Sequence, residues 1–310
     1  MTRVCVIGGG ANGEHAVSLE SASAAAAALA ARHDVVRLTI DRTGFWRDGE
    51  GRPLGLAGAV QVITSCDVVL PLLHGRHGED GTLAALCDLA DVRWVGSPVG
   101  AAAVAMDKWA TKLVAEDVGV RTARGALLTR GSRYFFDGPC VVKPVTAGSS
   151  LGVTLVTRPE QLPRALAEAF EHDDRVLVEE RVVGREIDMA VLARGDGRRM
   201  VAPPLEICAD GIFDYETKYD GSARFVVPAA ITERGRAALE DAALRVYDAL
   251  GCDGVVRVDF FLTESGPVLN EVNTTPGFTE HSQVPRMFAA AGVSYADLLD
   301  LLVGDALAAA

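Results

Sequence analysis

The apolar positions along the chain fall into two alternating rhythms. Short unbroken runs such as Val4-Cys5-Val6-Ile7 read as strands covered on both faces, because burial on both sides removes the period of two. Longer stretches with apolar residues three and four apart read as helices. Strands are expected over 3–7, Asp34–Ile40 and 67–73, with helices over 14–32 and Thr82–Leu89. This β/α alternation implies a parallel sheet covered by helices. A second section begins near Gly96-Ser97-Pro98. It reads as helix 101–117, strand 139–143, a glycine-rich turn, strand 153–156, helix 159–170 and strand Arg175–Glu180. A third begins near Gly184, with strands 186–192, 200–207, 254–262 and 267–270 and the long helix Glu233–Leu250. Gly195-Asp196-Gly197 reads as a hairpin turn between two of these strands. The expected division is 1–96, 97–183 and 184–310, with no internal repeat.

Composition narrows the classes. Of 310 residues, 49% are hydrophobic and 23% charged, which is globular and not the composition of a disordered chain. Lys and Arg number 30 against 42 Asp and Glu, a net charge of −12, so nucleic acid is not an expected partner. A small anion held by a few placed cations remains compatible with that balance. The run after Met1-Thr2-Arg3 is too short for a signal-peptide core, and no apolar stretch reaches the roughly 18 residues of a membrane span. None of Cys5, Cys66, Cys87, Cys140, Cys208 and Cys252 lies in a C-x-x-C, so buried reduced thiols and a cytoplasmic location are expected.

Several segments carry candidate chemistry. Gly8-x-Gly10-x-x-Gly13 follows a strand and opens a helix, the spacing of a dinucleotide fingerprint. The acidic residue expected about 20 positions on is not well placed. A glycine turn that lets the helix pack, or a carboxylate approach, is the competing reading. Lys143 ends a strand and leads into Pro144–Gly152, a loop of small residues whose N–H groups can wrap phosphate oxygens. It is not a Walker loop.

Alternation puts Arg257 and Asp259 on one strand face, and Glu271 and Asn273 on one face of the next strand. Paired as a hairpin, these strands converge two carboxylates and an amide oxygen, donors that suit Mg²⁺. Their apolar flanks argue against a solvated surface hairpin, since unpaired charge there is costly. The turn Thr274–Thr279 could offer backbone N–H groups to a reacting carbonyl. His74 opens a glycine-rich loop that reads as a ligand loop and not as a metal pair with His77. The segment Asp214-Tyr215-Glu216-Thr217-Lys218-Tyr219 reads as an ordinary amphipathic loop or as a lid carrying a cation.

Together these segments resemble the D-alanine–D-alanine ligases of the ATP-grasp superfamily, in family order from Gly8 to Pro285. The matching stretches are Gly9-x-x-x-x-Glu14-His15-x-Val17-Ser18-Leu19, His74-Gly75-x-x-Gly78-Glu79-Asp80-Gly81, Met106-Asp107-Lys108, Val142-Lys143-Pro144, Gly148-Ser149-Ser150-x-Gly152, Asp214-Tyr215-x-x-Lys218-Tyr219, Arg257-x-Asp259-Phe260 and Glu271-x-Asn273-Thr274-x-Pro276-Gly277. The resemblance displaces the dinucleotide reading. It implies a three-domain α/β ATP-grasp architecture: an N-terminal parallel α/β domain and two α+β domains gripping ATP. It implies phosphorylation of one D-alanine carboxylate by ATP and attack on the acyl phosphate by the amine of a second.

By resemblance, Lys108, Lys143, Ser150 and Lys218 would bind ATP phosphates, Glu179 would lie at the adenine hinge and Glu186 would bind ribose. Asp259, Glu271 and Asn273 would hold Mg²⁺, with Mn²⁺ as the alternative ion. Glu14 would bind the ammonium of the first substrate, His74 and Gln283 would also be substrate residues, and Ser282 would bind the carboxylate of the second. Arg257 and the Gly277 N–H would stabilise the oxyanion, and Glu14, Ser149 and Tyr219 would form a hydrogen-bonded triad. A homodimer acting on D-alanine or a related small amino acid, with neither nucleic acid nor membrane as partner, completes the implied picture.

The sequence departs from the family at four positions. Ala16 stands where glutamate is usual, Ala84 for glutamine, Phe278 for methionine and Gln283 for leucine. Gln283 borders the second-substrate pocket and would open it to a more polar partner than D-alanine. The alternative is therefore a paralogous amino-acid ligase of specialised metabolism. Tyr219 in place of histidine points to a dipeptide former.

Overall fold

The computed structural model describes residues 1–208 and 224–308. Three sheets carry the chain. In the first, β1 (Arg3–Gly9) lies between β2 (Asp34–Ile40) and β4 (Val68–Pro71), all parallel. β5 (Arg93–Trp94) extends the sheet in parallel, and the short β3 (Trp46–Asp48) runs antiparallel at the other edge. The sheet order is β3-β2-β1-β4-β5. Helix α1 (His15–Leu29) lies on one face, while α2 (Gly55–Ile63) and α3 (Thr82–Leu89) bury Ile63, Leu83 and Cys87 on the other.

The glycines that end β1 pack the fold and do not read as a dinucleotide site. Gly9 sits at φ +98°, and a Cβ there would strike the Ile40 carbonyl oxygen. A Cβ at Gly8 would meet that of Ala22 on α1 at 2.5 Å.

The second sheet is antiparallel, in the order β6 (Gly125–Thr129), β9 (Arg175–Glu180), β7 (Cys140–Pro144), β8 (Thr154–Val156). It packs on helix α6 (Leu162–His172) through Val142, Val176 and Ala169.

The third sheet is also antiparallel: β13 (Arg224–Val226), β12 (Leu205–Cys208), β10 (Arg185–Ala193), β14 (Val255–Thr263) and β15 (Gly266–Asn273), with β11 (Arg199–Val201) paired to β10. The turn between β10 and β11 is closed by the Arg194 N–H on the Arg198 carbonyl, as the Gly-Asp-Gly signal suggests. The expected single strand 200–207 is split by Pro203-Pro204, because two consecutive prolines remove two ladder donors.

The long α7 (Glu233–Leu250) lies over this sheet, capped by the Thr232 hydroxyl and ended by Gly251 in the left-handed region. Two further helices cover the same core: α4 (Val99–Met106) and α5 (Lys108–Asp117) add Ala101, Ala105 and Ala115 to it. The sequence suggests one helix over 101–117. The structure breaks it at Asp107, whose backbone is extended (φ −84°, ψ +98°) and whose side chain accepts from the Ala110 N–H at 3.0 Å. Its other oxygen receives Arg175 at 2.7 Å. The break starts α5 afresh and puts Lys108 at its first position. At the end of the chain, α8 (Gln283–Ala290) and α9 (Tyr295–Ala308) join the first and third sheets in a common core with Phe288, Leu298 and Leu302.

Asp107→Ala removes the α5 cap and the Arg175 partner together. A loss of about 1–2 kcal/mol is expected, read as a lower urea midpoint at unchanged slope. An unchanged midpoint contradicts this account of the break.

Candidate functional site

The loops and strand ends of the three sheets meet around a cleft of about 920 Å³. Each of the fifteen expected site residues within the described chain lines it. Lys218 and Tyr219 lie outside the described residues.

The floor is set by strand register. β14 and β15 pair antiparallel with Arg257 opposite Asn273 and Asp259 opposite Glu271. A bulge follows Asp259, so the pairing of the two acids is undisturbed. On the other side of β14, Asp188 of β10 stands directly opposite Asp259. One row across three strands therefore carries Asp188, Asp259 and Glu271. Like charges opposite one another are destabilising unless compensated.

Two cations compensate the row. Arg257 grips both oxygens of Asp259 at 2.7 Å each, a bidentate charge-assisted pair. Its Nε also lies 3.6 Å from Asp188. Lys108 reaches Glu271 at 3.4 Å and donates to the Ala147 carbonyl at 2.8 Å. Asp188 is fully buried, and one of its oxygens has no hydrogen-bond partner. Burial first, then the neighbouring Asp259, pushes its carboxyl well above the ordinary aspartate range.

Beside this row, the second sheet contributes a buried acid between two lysines. Glu179 on β9 receives Lys112 at 2.6 Å and Lys143 at 2.7 Å. Burial opposes its charge, but the two ammonium groups outweigh burial and hold the carboxyl below the usual glutamate range. Lys143 also reaches Asn270 of β15 at 3.3 Å, tying the second sheet to the third. Glu186 at the start of β10 is half-buried on the same wall.

The first sheet supplies the opposite corner. Glu14, the residue before α1, accepts a hydrogen bond from the Ser149 hydroxyl on the glycine-rich loop. Ser149 and its neighbour Ser150 hold left-handed φ angles of +50° and +57°, uncommon for serine and costly unless the loop is held. Gly75, at φ +68°, leaves room for Glu14, whose carboxylate a Cβ there would meet at 2.6 Å. His74 is buried and donates from Nδ1 to the Thr275 carbonyl at 2.8 Å, while His77 is exposed beside Asp80. The two rings do not form a metal pair. Among the described residues, no cluster of three His, Cys, Asp or Glu side chains could hold a metal ion by itself.

Gly277 abuts Ser282, whose hydroxyl accepts from the Thr279 N–H at 3.0 Å. Ser282 precedes α8, and Gln283 opens it. The Gln283 carboxamide accepts from Arg257 at 2.8 Å and donates to Asp188 at 2.7 Å. Sequence reasoning did not single out Asp188 or Lys112. An acid between Ile187 and Met189 in a strand of apolar residues was the available signal for the first.

The family model described as D-ala D-ala ligase C-terminus matches residues 129–304, and that described as D-ala D-ala ligase N-terminus matches 51–97. The chain belongs to the D-alanine–D-alanine ligase family. A D-alanine–D-alanine ligase of Mycobacterium ulcerans is 38% identical, over 98% of this chain and 95% of that protein. One of Corynebacterium glutamicum is 37% identical, over 98% and 96%. Among solved structures, the VanG D-Ala:D-Ser ligase of Enterococcus faecalis aligns with a TM-score of 0.85 at 34% identity, covering 98% of this chain and 99% of that one. The D-alanine–D-alanine ligase of Bacillus anthracis complexed with ATP aligns at 0.83 and 27% identity, covering 99% and 98%. The ATP-grasp ligase fold expected from the motifs is the fold observed.

His74 in this ligase-family chain has a raised pKa. Burial opposes its charge, but Glu79, Glu14 and the Thr275 carbonyl outweigh burial and lift it above the ordinary 6.5. A raised folded value gives stability that is fully present below the unfolded value and lost as pH rises through the folded one. The stability gap between wild type and His74→Gln, from urea midpoints, is therefore expected to be larger near pH 6 than near pH 9. A gap that grows with pH contradicts the arrangement.

Proposed function

We propose that the chain joins two D-alanines into D-alanyl-D-alanine, converting ATP to ADP and phosphate, as a step of peptidoglycan precursor synthesis. The observation that carries this is one cleft in which the Asp259–Glu271 pair, the cations Lys108, Lys143 and Arg257 and the Glu14 corner converge. Family membership supports the same reading.

In this reading Lys108 and Lys143 neutralise phosphate charge as the first D-alanine carboxylate attacks the γ-phosphorus and ADP leaves. Ser150 adds a contact to the phosphates, Glu179 borders the adenine and Glu186 takes the ribose. The Lys112–Glu179–Lys143 arrangement supports this, because Glu179 fixes the Lys143 ammonium while Lys112 keeps the trio net positive.

Glu14 and His74 hold the first D-alanine. The amine of the second then attacks the acyl carbon, and phosphate departs carrying the former carboxylate oxygen. Arg257 and the Gly277 N–H face the oxyanion that forms, and Ser282 holds the second carboxylate. Lys218 and Tyr219 complete the phosphate site and the Glu14–Ser149 triad in the same reading.

Asp259, Glu271 and Asn273 would hold Mg²⁺ or Mn²⁺. Their all-oxygen donor set, with two carboxylates in register, suits a hard cation. Such an ion supplies charge neutralisation on the transferring phosphates. The division at 1–96, 97–183 and 184–310 and a cytoplasmic homodimer belong to the same reading. The three sheets support the division, and the family supports the homodimer.

Gln283 does not favour a more polar second substrate, because its carboxamide is already engaged at both ends. Phosphate release is therefore expected with ATP, Mg²⁺ and D-alanine alone. Asp259→Asn and Glu271→Gln are expected to lower kcat by about a hundredfold or more in folded protein. No turnover with D-alanine alone, with turnover on adding D-serine or D-lactate, overturns the assignment.

A further inference from the structure

The row Asp188–Asp259–Glu271 sets a problem that the proposed chemistry leaves open. Asp188 touches no assigned ligand, is fully buried, and faces Asp259 across β10 and β14. An acid in that position competes for Arg257, the guanidinium assigned to the oxyanion. Arg257 Nε lies 3.6 Å from Asp188, and any shift that closes that gap draws the guanidinium away from Asp259.

Gln283 stands between them. Its oxygen accepts from Arg257 Nη1 at 2.8 Å, and its nitrogen donates to Asp188 at 2.7 Å. Only a side chain that is donor and acceptor at once satisfies both neighbours. Leucine satisfies neither, and a carboxylate accepts from Arg257 but has no hydrogen to donate to Asp188. Three of the five Arg257 N–H groups are thereby committed: two to Asp259 and one to Gln283. Two remain, and the plane of the guanidinium is fixed.

We propose that Gln283, braced by Asp188, is a positioning residue for Arg257: it sets the guanidinium for the oxyanion and does not primarily contact the second substrate. The proposal rests on the ligase reading and extends it to two residues that act through Arg257. Gln283 begins α8 and Asp188 lies in the middle of β10, so the bridge also fixes the start of that helix, and Ser282 with it, against the sheet.

The experiment compares steady-state kinetics of wild type, Gln283→Leu, Gln283→Glu, Asp188→Asn and the pair Asp188→Asn with Gln283→Glu, using ATP, Mg²⁺ and D-alanine. In the paired variant the bridging hydrogen bond runs the other way, from the amide at 188 to the carboxylate at 283, with Arg257 still accepted. Gln283→Leu and Gln283→Glu are expected to lose about tenfold to a hundredfold in kcat. KM for ATP is expected to stay within about twofold. The paired variant is expected to recover to within about threefold of wild type.

An unchanged kcat in Gln283→Leu overturns the proposal. So does an effect confined to KM for D-alanine, or a paired variant no better than Gln283→Glu. The last comparison conserves side-chain size and stays informative if Gln283→Leu fails to fold. Failure of the underlying ligase reading is distinct: wild type itself would then release no phosphate with D-alanine.

Discussion

Three carboxylates standing side by side on adjacent strands are the constraint around which this cleft is organised. Strands lie about 4.8 Å apart, so register alone forces Asp188, Asp259 and Glu271 into close company. Burying one such charge without a partner would cost several kcal/mol. The protein answers with Arg257 locked on both oxygens of Asp259, Lys108 on Glu271, and the Gln283 carboxamide between Arg257 and Asp188. In the proposed reading, the cations that neutralise the row are also those that meet phosphate and oxyanion charge.

That arrangement explains how separate sheets share one site. Lys108 reaches the third sheet because Asp107 ends one helix and starts another. Lys143 reaches Asn270 from the second sheet while Glu179, backed by Lys112, holds its ammonium. Glu14 takes the Ser149 hydroxyl and so joins the first sheet to the glycine-rich loop of the second. Each link is polar, at the edge of an otherwise apolar core. Such links fix direction more than they add stability, and direction is what in-line phosphoryl transfer requires.

Much of this was legible in the sequence. The same-face alternation of Arg257 with Asp259 and of Glu271 with Asn273 survives in the structure, because the bulge falls after Asp259. The strands Asp34–Ile40 and Arg175–Glu180 and the helices Thr82–Leu89 and Glu233–Leu250 have the bounds their patterns suggest. The break at Asp107 was not legible. Both halves of 101–117 are helix-forming, and only the turn of one aspartate onto the Ala110 N–H separates them. The role of Gln283 was hidden for a related reason. Its neighbour Asp188 is 95 positions away in the chain, and a side chain at the start of a helix does not announce a partner that only the packing of that helix against β10 supplies. The Gly8–Gly13 spacing, conversely, suggested more than it meant. The space it opens is filled by Ala22 and the Ile40 carbonyl.

The most direct test follows oxygen. D-alanine labelled with ¹⁸O in its carboxylate is incubated with the protein, ATP and Mg²⁺, and both the phosphate and the organic product are weighed by mass spectrometry. The account predicts D-alanyl-D-alanine with one labelled oxygen transferred to inorganic phosphate for each dipeptide formed. Unlabelled phosphate, or phosphate released without dipeptide, would contradict it.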